Sequence, residues 1–315
     1  MKLGYIRMPE QHRHRALNAL TKAQDHLALA DSLNFQLAYF PRLNPHHFAQ
    51  SLRRPPKSVK IALDAAAFGP LSPSEIESAV RNVNEALDGK LNLGVELHGA
   101  NAPAKDKAQA QAFETLFSYD PRVDQVFAAS RYPMAPPCPE ILGLPVTGSS
   151  EEAKCAAARG YLPLTPSWMP DTEVARFWPA IVAGATSAVR RAQPSHWHVA
   201  RMVLVHDDPQ SVTDYIYGSN SPFRRHFKRL SLQGLIGPDI DFHLKRVVIA
   251  GSAGEVAEKI LALREAVGAF GTLHIVDPLG SDRTMTKNTM IRMTEEVLPM
   301  IHNPDTNTVK NLERT

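Results

Sequence analysis

Segments with the pattern of β-strands alternate along this chain with segments that have the pattern of α-helices, and this alternation limits the fold more than any other feature. Short apolar stretches are followed by longer stretches with apolar residues at helical spacing. Such a rhythm is typical of a parallel sheet whose strands are joined by crossover helices. The strand segments that we identify cover residues 3–7, 35–40, 59–68, 91–95, 141–147, 161–165, 198–206 and 272–276.

These strand and helix units predict an α/β fold, a single (β/α)8 barrel of the TIM type. No Gly/Ser linker or shift in composition divides the chain, so we expect one barrel domain over residues 1–303 and a polar C-terminal tail over residues 304–315. A doubly wound open sheet is the alternative. Its dinucleotide-binding form needs a G-x-G-x-x-G turn after the first strand, and the sequence has none there.

Composition and charge exclude several classes of protein. Apolar residues make up 43% of the 315 residues, which excludes global disorder. The 35 basic and 32 acidic side chains nearly cancel, which argues against a dedicated nucleic-acid-binding protein. The longest apolar run, over residues 177–189, is too short for a membrane span, and only two cysteines, Cys138 and Cys155, are present. We therefore expect a cytoplasmic protein with no nucleic-acid partner and no membrane partner.

Four stretches of the sequence, in order along nearly the whole chain, carry motifs of one known family. The first is N-P-H-H-F at residues 44–48, and the second is G-K-L-N-L-G-V at residues 89–95. The third covers residues 146–152 with 156–160 and 167–168, and the fourth covers residues 251–260 with 271–273 and 295–299. Together they resemble the luciferase-like flavin-dependent monooxygenases, which include bacterial luciferase and the limonene-type monooxygenases.

The resemblance implies a two-component monooxygenase that uses reduced FMN (FMNH2) and O2 to oxygenate a small organic substrate. A separate NAD(P)H:flavin reductase would supply the reduced flavin, and the family commonly forms homodimers. A deazaflavin (F420)-dependent oxidoreductase of the same superfamily is one alternative. A catalytically impaired flavin-binding homologue is another, because the segment after the second strand is shorter than in the family. We expect this shortening to reduce the second crossover helix to a loop.

A strand-to-helix turn at Gly148, Ser149 and Ser150 is the first candidate cofactor site. Free backbone N–H groups at a helix N-terminus favour a phosphate group, and the resemblance implies that this turn grips the flavin phosphate. A simple helix cap, with Ser149 paired to Glu152, would show the same sequence pattern. The resemblance also implies that His98, which stands where the family has arginine, contacts this phosphate. A loop histidine is the other interpretation of His98.

The resemblance implies that His46, after the second strand, is the catalytic base or hydrogen-bond donor near the flavin, although it could be a loop histidine. Ala65 and Ala66 end the third strand, where small side chains would let the flavin ring approach the backbone or would fill a narrow core layer. Ser167 and Trp168 are candidates for the wall of the flavin pocket, or for ordinary core residues.

A basic run over residues 224–229 is the densest cluster of positive charge in the sequence. A solvated helix face would have this composition. The alternative is a mobile lid whose charge steers an anionic flavin into the barrel. No His/Cys/Asp cluster has the spacing of metal ligands, so we expect no metal site.

Overall fold

A computed structural model describes residues 1–8, 16–69, 73–97, 139–278 and 281–303 of the chain. His98, Cys138 and the tail expected at 304–315 lie outside these ranges. Within them, parallel strands close into a barrel in the spatial order Lys2–Arg7, Thr272–Asp277, His198–Arg201, Leu162–Thr165, Glu140–Pro145, Leu91–Leu97, Lys60–Asp64 and Leu37–Phe40. The predicted (β/α)8 barrel is therefore confirmed. No helix in the described ranges is both long enough and apolar enough to cross a membrane.

The barrel strands coincide with the strand segments expected from the sequence, and one further pair of strands lies beside the barrel. Every pairing is parallel, including the pair that closes the barrel. The strands are β1 (Lys2–Arg7), β2 (Leu37–Phe40), β3 (Lys60–Asp64), β4 (Leu91–Leu97), β5 (Glu140–Pro145), β6 (Leu162–Thr165), β7 (His198–Arg201), β8 (Val203–Val205), β9 (Ile249–Gly251) and β10 (Thr272–Asp277).

Helices follow most of the strands and surround the barrel. They are α1 (Ala16–Ser32), α2 (Pro45–Ser51), α3 (Pro73–Ala86), α4 (Ser150–Ala158), α5 (Asp171–Val174), α6 (Phe177–Ser187), α7 (Pro209–Tyr217), α8 (Pro222–Leu232), α9 (Ile240–Val247), α10 (Ala253–Val267), α11 (Arg283–Arg292) and α12 (Leu298–His302). A π-helical turn, Met293–Val297, joins the last two helices.

The crossover after β2 is a short helix, whereas we expected a loop. The side chain of Asn44 accepts a hydrogen bond from the His47 N–H at 2.9 Å, and Pro45 occupies the first helical position. An N-cap residue followed by proline is a strong signal for the start of a helix. The N-P-H-H-F motif therefore forms the first turn of α2 rather than an extended loop.

Two strands are shorter than expected because local structure or pairing elsewhere interrupts them. The third strand ends at Asp64, since Ala65–Phe68 forms a 3₁₀ turn. The segment at 198–206 breaks at Met202 into β7 in the barrel and β8 outside it, and β8 pairs with β9. The strands identified from the sequence do not include β9, although its apolar stretch with the β-branched residues Val248 and Ile249 is typical of a strand.

Side chains alternate between the interior of the barrel and the layer under the helices. Along β2, Leu37 and Tyr39 belong to one apolar cluster while Ala38 and Phe40 belong to another. The cluster that contains Leu37 and Tyr39 fills the interior of the barrel, since it also contains residues of other barrel strands such as Leu142 and Val276. This period of two is the normal consequence of strand geometry, and burial on both faces explains the nearly continuous apolar strands.

Two histidines form a polar layer inside the barrel near the starts of the strands. Nδ1 of His198 on β7 lies 2.8 Å from Nε2 of His274 on β10, and the two rings stack with centroids 5.1 Å apart. Both side chains are at most 1% exposed. Burial lowers the pKa of His198 to about 4 and lowers the pKa of His274 well below its usual value, so both rings are neutral at neutral pH.

We predict that the protein loses stability as the pH falls from about 6.5 to about 4. Burial holds the pKa of His198 at about 4 in the folded state, whereas an unfolded histidine titrates near ~6.5, so the unfolded chain binds more protons between these values. This one histidine costs about 2 kcal/mol at about pH 5. His198→Asn should flatten the pH dependence of the free energy of unfolding, measured by urea denaturation. The exposed His47, changed to Gln, is the control, and equal slopes in both variants would contradict the prediction.

Candidate active site

A cavity of about 270 Å³ lies at the C-terminal mouth of the barrel. Each barrel strand contributes at least one residue at or near its C-terminal end to the wall of this cavity. In a barrel of this type, functional groups converge at this end because all strands point to it. The contributing residues are Ile6, Tyr39, Asp64, Glu96, Leu144, Leu164, Thr165, Ala200 and Val276.

Tyr39 and Asp64 form a buried hydrogen-bonded pair in this cavity. The Tyr39 hydroxyl donates to Oδ1 of Asp64, and the Arg42 N–H donates to Oδ2 at 2.7 Å. Burial raises the pKa of the Asp64 carboxyl to about 6, although both hydrogen bonds favour the carboxylate and oppose this rise. The pair can therefore accept or release a proton near neutral pH.

Gly94 on β4 makes room for the Tyr39 ring. A Cβ at this position would lie 3.0 Å from the Tyr39 hydroxyl oxygen and 3.2 Å from Cδ1 of Leu144. Any larger residue would therefore press on the ring that holds Asp64. This glycine belongs to the G-K-L-N-L-G-V motif, and its position explains why a small residue stands there.

Trp168 and Ser167 form the wall of the cavity after β6. Trp168 is half-buried, and its ring lies against the turn at Gly148, where a Cβ would be 2.6 Å from Cη2. Gly148 has φ +72°, a conformation that favours glycine. Thr165, at the end of β6, accepts a hydrogen bond from Nε1 of Trp197 at 2.9 Å. The structure thus brings together Gly148, Ser167 and Trp168 from the predicted cofactor-binding set.

The turn before α4 uses several of its N–H groups internally. Ser149 accepts a hydrogen bond from the Glu151 N–H at 3.2 Å, and the buried Glu152 carboxylate accepts from the N–H groups of Thr147 (3.1 Å) and Ser149 (3.3 Å). This is the capping box that the sequence pattern allows. A phosphate at Ser149 and Ser150 would have to share the turn with this carboxylate.

The remaining predicted residues lie around the mouth without lining the cavity. His46 is in the first turn of α2, and its ring meets the Phe68 ring edge-on with centroids 5.9 Å apart. Ala65 is buried and Ala66 is exposed in the 3₁₀ turn that ends at Phe68. None of these residues is among the described residues that line the cavity. His98 lies outside the described residues.

Helix α8, which carries the basic run, covers part of the mouth. Phe223, Phe227 and Leu230 are buried and anchor the helix, while His226 and Arg229 line the cavity. The basic run is therefore divided between faces of one helix. The exposed residues Arg225 and Lys228 face solvent, and Arg224 forms an ion pair with Asp241.

Sequence reasoning did not select Tyr39, Asp64, Arg42 or Arg229 as site residues. Asp64 carries the clearest signal that could have found it, because it is a charged residue at the C-terminal end of an apolar strand. Arg229 was visible only as part of the basic run. The pairing of Tyr39 with Asp64 depends on the register of β2 against β3, which places Tyr39 opposite Ala62.

A wider cleft of about 980 Å³ lies beside the mouth, outside the barrel wall. Arg7 and Asp277 line it, and their neighbours Ile6 and Val276 line the mouth cavity instead. Its floor holds a buried network in which the Tyr5 hydroxyl donates to Asp277 at 2.8 Å. We place the candidate active site in the smaller cavity, because only that one is walled by all the barrel strands. The described residues contain no cluster suited to a metal ion.

No protein-family model matches the sequence, and no curated protein sequence matches it. Solved structures do match. The oxygenating constituent of 3,6-diketocamphane monooxygenase from Pseudomonas putida, a type II Baeyer–Villiger monooxygenase in complex with FMN, has a TM-score of 0.72 at 18% identity, covering 96% of this chain and 99% of that one. A monooxygenase from Streptomyces bottropensis has a TM-score of 0.69 at 17% identity, with 95% and 99% covered.

The fold also resembles that of a deazaflavin enzyme. The coenzyme F420-dependent tetrahydromethanopterin reductase from Methanopyrus kandleri has a TM-score of 0.59 at 13% identity, covering 95% of this chain and 99% of that one. At these identities the likeness establishes the fold. The fold implied by the resemblance to the luciferase-like monooxygenases is thus confirmed for the described residues.

We predict that Gly148→Ala destabilises the protein more than Gly234→Ala does. Both glycines have φ near +70°, so both alanines suffer the same backbone cost of roughly 1–2 kcal/mol. Within the described part of the chain, a Cβ at Gly234 meets nothing within 4 Å, whereas the one at Gly148 collides with Trp168. Overpacking should cost Gly148→Ala roughly 1–3 kcal/mol more.

Urea unfolding and the intrinsic tryptophan emission of the folded protein check this prediction. The emission should change in Gly148→Ala and stay as in the unsubstituted protein in Gly234→Ala. Equal losses of stability with unchanged emission would show that Trp168 does not rest on this turn.

Proposed function

We propose that this chain is a luciferase-like, flavin-dependent monooxygenase whose active site is the cavity at the barrel mouth. The observation that carries the proposal is the wall of this cavity, to which every barrel strand contributes and which combines apolar side chains, Trp168 and the ionisable pair of Tyr39 and Asp64. The fold likeness to an FMN-bound monooxygenase supports the same function.

The residues present fit a flat, largely apolar ring system. Ile6, Leu144 and Val276 supply apolar surface, and Trp168 supplies a planar wall. Reduced FMN, once bound, would supply the electrons with which O2 is activated. The cavity is slightly smaller than the ~300–1,000 Å³ typical of small-molecule sites, so it would hold part of the cofactor rather than all of it.

The chain's own contribution would be to exclude water and to move protons. Helix α8 covers the mouth, and the apolar wall keeps solvent from the reacting groups. Asp64 can accept a proton near neutral pH because burial raises its pKa to about 6, and Tyr39 can relay one because its oxygen can still accept a hydrogen bond. His46, predicted as the base, stays a prediction, and its ring contacts Phe68.

The other parts of the proposal follow from the resemblance. Reduced flavin would come from a separate NAD(P)H:flavin reductase, the substrate would be a small organic molecule, and the enzyme would be a homodimer. The phosphate contact at Gly148, Ser149 and Ser150, and the contact at His98, stay predictions. An F420-dependent oxidoreductase is the second candidate function, favoured by the fold likeness to an F420-dependent reductase.

We predict that the protein binds FMN at one site per chain and binds F420 at least roughly tenfold more weakly. Trp168→Ala should weaken FMN binding roughly tenfold, because the ring loses its planar wall. Trp178→Phe is the matched control, since Trp178 stacks on Trp197 away from the cavity. Fluorescence titration measures both flavins. Tighter binding of F420 would favour the second candidate, and binding of neither flavin would refute both.

We predict that the turnover rate rises with pH through an inflection near pH 6, where Asp64 loses its proton. Asp64→Asn should remove the inflection and lower the rate by roughly a hundredfold or more. Tyr39→Phe removes a hydrogen bond that lowers the pKa of Asp64, so the inflection should move to higher pH. Glu96→Gln removes a charge that raises this pKa, so the inflection should move to lower pH.

These opposite shifts distinguish a proton-transfer group from a structural one. Flavin consumption coupled to O2 uptake, followed across pH 5–8 with reduced FMN, gives the profiles. An inflection that stays in place in both Tyr39→Phe and Glu96→Gln would assign the proton transfer to another residue.

A further inference from the structure

Two arginine side chains reach the mouth cavity from different elements. Arg42 follows β2, Arg229 lies on α8, and both line the cavity. Burial lowers the pKa of Arg229, and the positive charge of Arg42 lowers it further. The two guanidinium groups therefore repel each other, which is unfavourable unless a negative group lies between them.

Neither guanidinium group is neutralised by an ion pair within the described ranges of the chain. Helix α8 itself provides the contrast, because Arg224 on another face pairs with Asp241 through both guanidinium nitrogens. Arg229, which lies later on the same helix, has the neutral ring of His226 as its hydrogen-bond partner. Arg224, which does not line the cavity, is thus held in an ion pair, whereas the guanidinium group of Arg229 at the mouth can still bind an anion.

The backbone sets the position of Arg42. Its N–H donates to Oδ2 of Asp64 at 2.7 Å, and its φ of +60° is unusual for a residue with a side chain. The Asp64 carboxylate is thereby bound through the amide and through the Tyr39 hydroxyl rather than through the Arg42 guanidinium. The exposed side chain of Arg42 keeps its hydrogen-bond donors for another group.

His226 holds Arg229 in place. Its Nδ1 lies 3.3 Å from NH2 of Arg229, and the ring is 4% exposed. Burial lowers the pKa of His226 to about 3, so the ring is neutral and can accept a hydrogen bond from the guanidinium group. His226 is therefore a positioning residue for Arg229.

The acidic and the basic groups that line the cavity belong to different elements. The carboxylates belong to β3 and β4, as Asp64 and Glu96, whereas the guanidinium groups come from α8 and from the turn after β2. Ser167 and Gln233 add hydrogen-bond donors to the wall. A ligand that carries one negative group would therefore have a defined orientation in the cavity.

We propose that Arg42 and Arg229 form a subsite for an oxyanion, a phosphate or carboxylate group on a molecule that enters the barrel mouth. Guanidinium groups suit this ligand because their planar donors match the oxygens of both anions. The oxyanion could belong to the flavin, as its phosphate, or to the substrate. The flavin source rests on the proposed function, while the subsite itself does not.

Thermal unfolding in sodium phosphate, and separately in sodium benzoate, tests the subsite without a flavin. Each salt should raise the melting temperature above that in sodium chloride of the same ionic strength, because an anion bound to the native state stabilises it. Arg42→Gln and Arg229→Gln should abolish this rise. Lys228→Gln, on the exposed face of the same helix, is the matched control and should keep it. A rise that persists in both arginine variants, or no rise in the unsubstituted protein, would overturn the proposal.

Titration with FMN and with riboflavin, which lacks the phosphate, identifies the source of the oxyanion. If the subsite binds the flavin phosphate, Arg229→Gln should weaken FMN binding roughly tenfold and leave riboflavin binding unchanged. If it binds the substrate, both flavins should bind the variant as before, while the effect of benzoate is lost. If neither flavin binds the unsubstituted protein but the anion effect depends on both arginines, the subsite stands and the proposed function fails.

Discussion

The pairing of the first and last strands is the contact on which the rest of the structure depends. β1 and β10 lie in register over six residues, from Lys2 opposite Thr272 to Arg7 opposite Asp277. This pairing removes both edges of the barrel sheet, so each barrel strand in the described residues has a partner on both sides. It also directs the ends of all barrel strands to one mouth, where side chains far apart in sequence meet.

Closure has different consequences at the two ends of the interior. Near the starts of the strands, His198 and His274 share a hydrogen bond and form a neutral polar layer. At the mouth, Asp64 is held by a tyrosine and a backbone amide, and neither arginine forms an ion pair within the described part of the chain. The first arrangement is closed to ligands and contributes to the fold, whereas the second keeps hydrogen-bonding capacity for a molecule from outside.

The barrel could be predicted from the sequence because each strand and helix has a local pattern, and parallel strands need crossovers. The helix α2 was expected to be a loop because the segment between β2 and β3 is short. Asn44 and Pro45 nevertheless signal the start of a helix. The pair β8–β9 and the contact of Tyr39 with Asp64 could not be predicted, since both depend on the register of chain segments that are distant or only three residues long. Trp168 was selected from the resemblance, and the structure places it on the cavity wall.

The small sheet of β8 and β9 has a consequence for how this mouth could diversify. The chain leaves β8 at Val205 and re-enters at Ile249, and the two parallel strands lie side by side. The Ile249 N–H donates to the Met202 carbonyl at 3.0 Å, and the His206 N–H donates to the Gly251 carbonyl at 2.9 Å. The strands on either side of the segment that contains α7, α8 and α9 are therefore hydrogen-bonded to each other. Such a module can lengthen, shorten or be grafted from a relative without shifting the register of any barrel strand, so selectivity and scaffold can evolve separately.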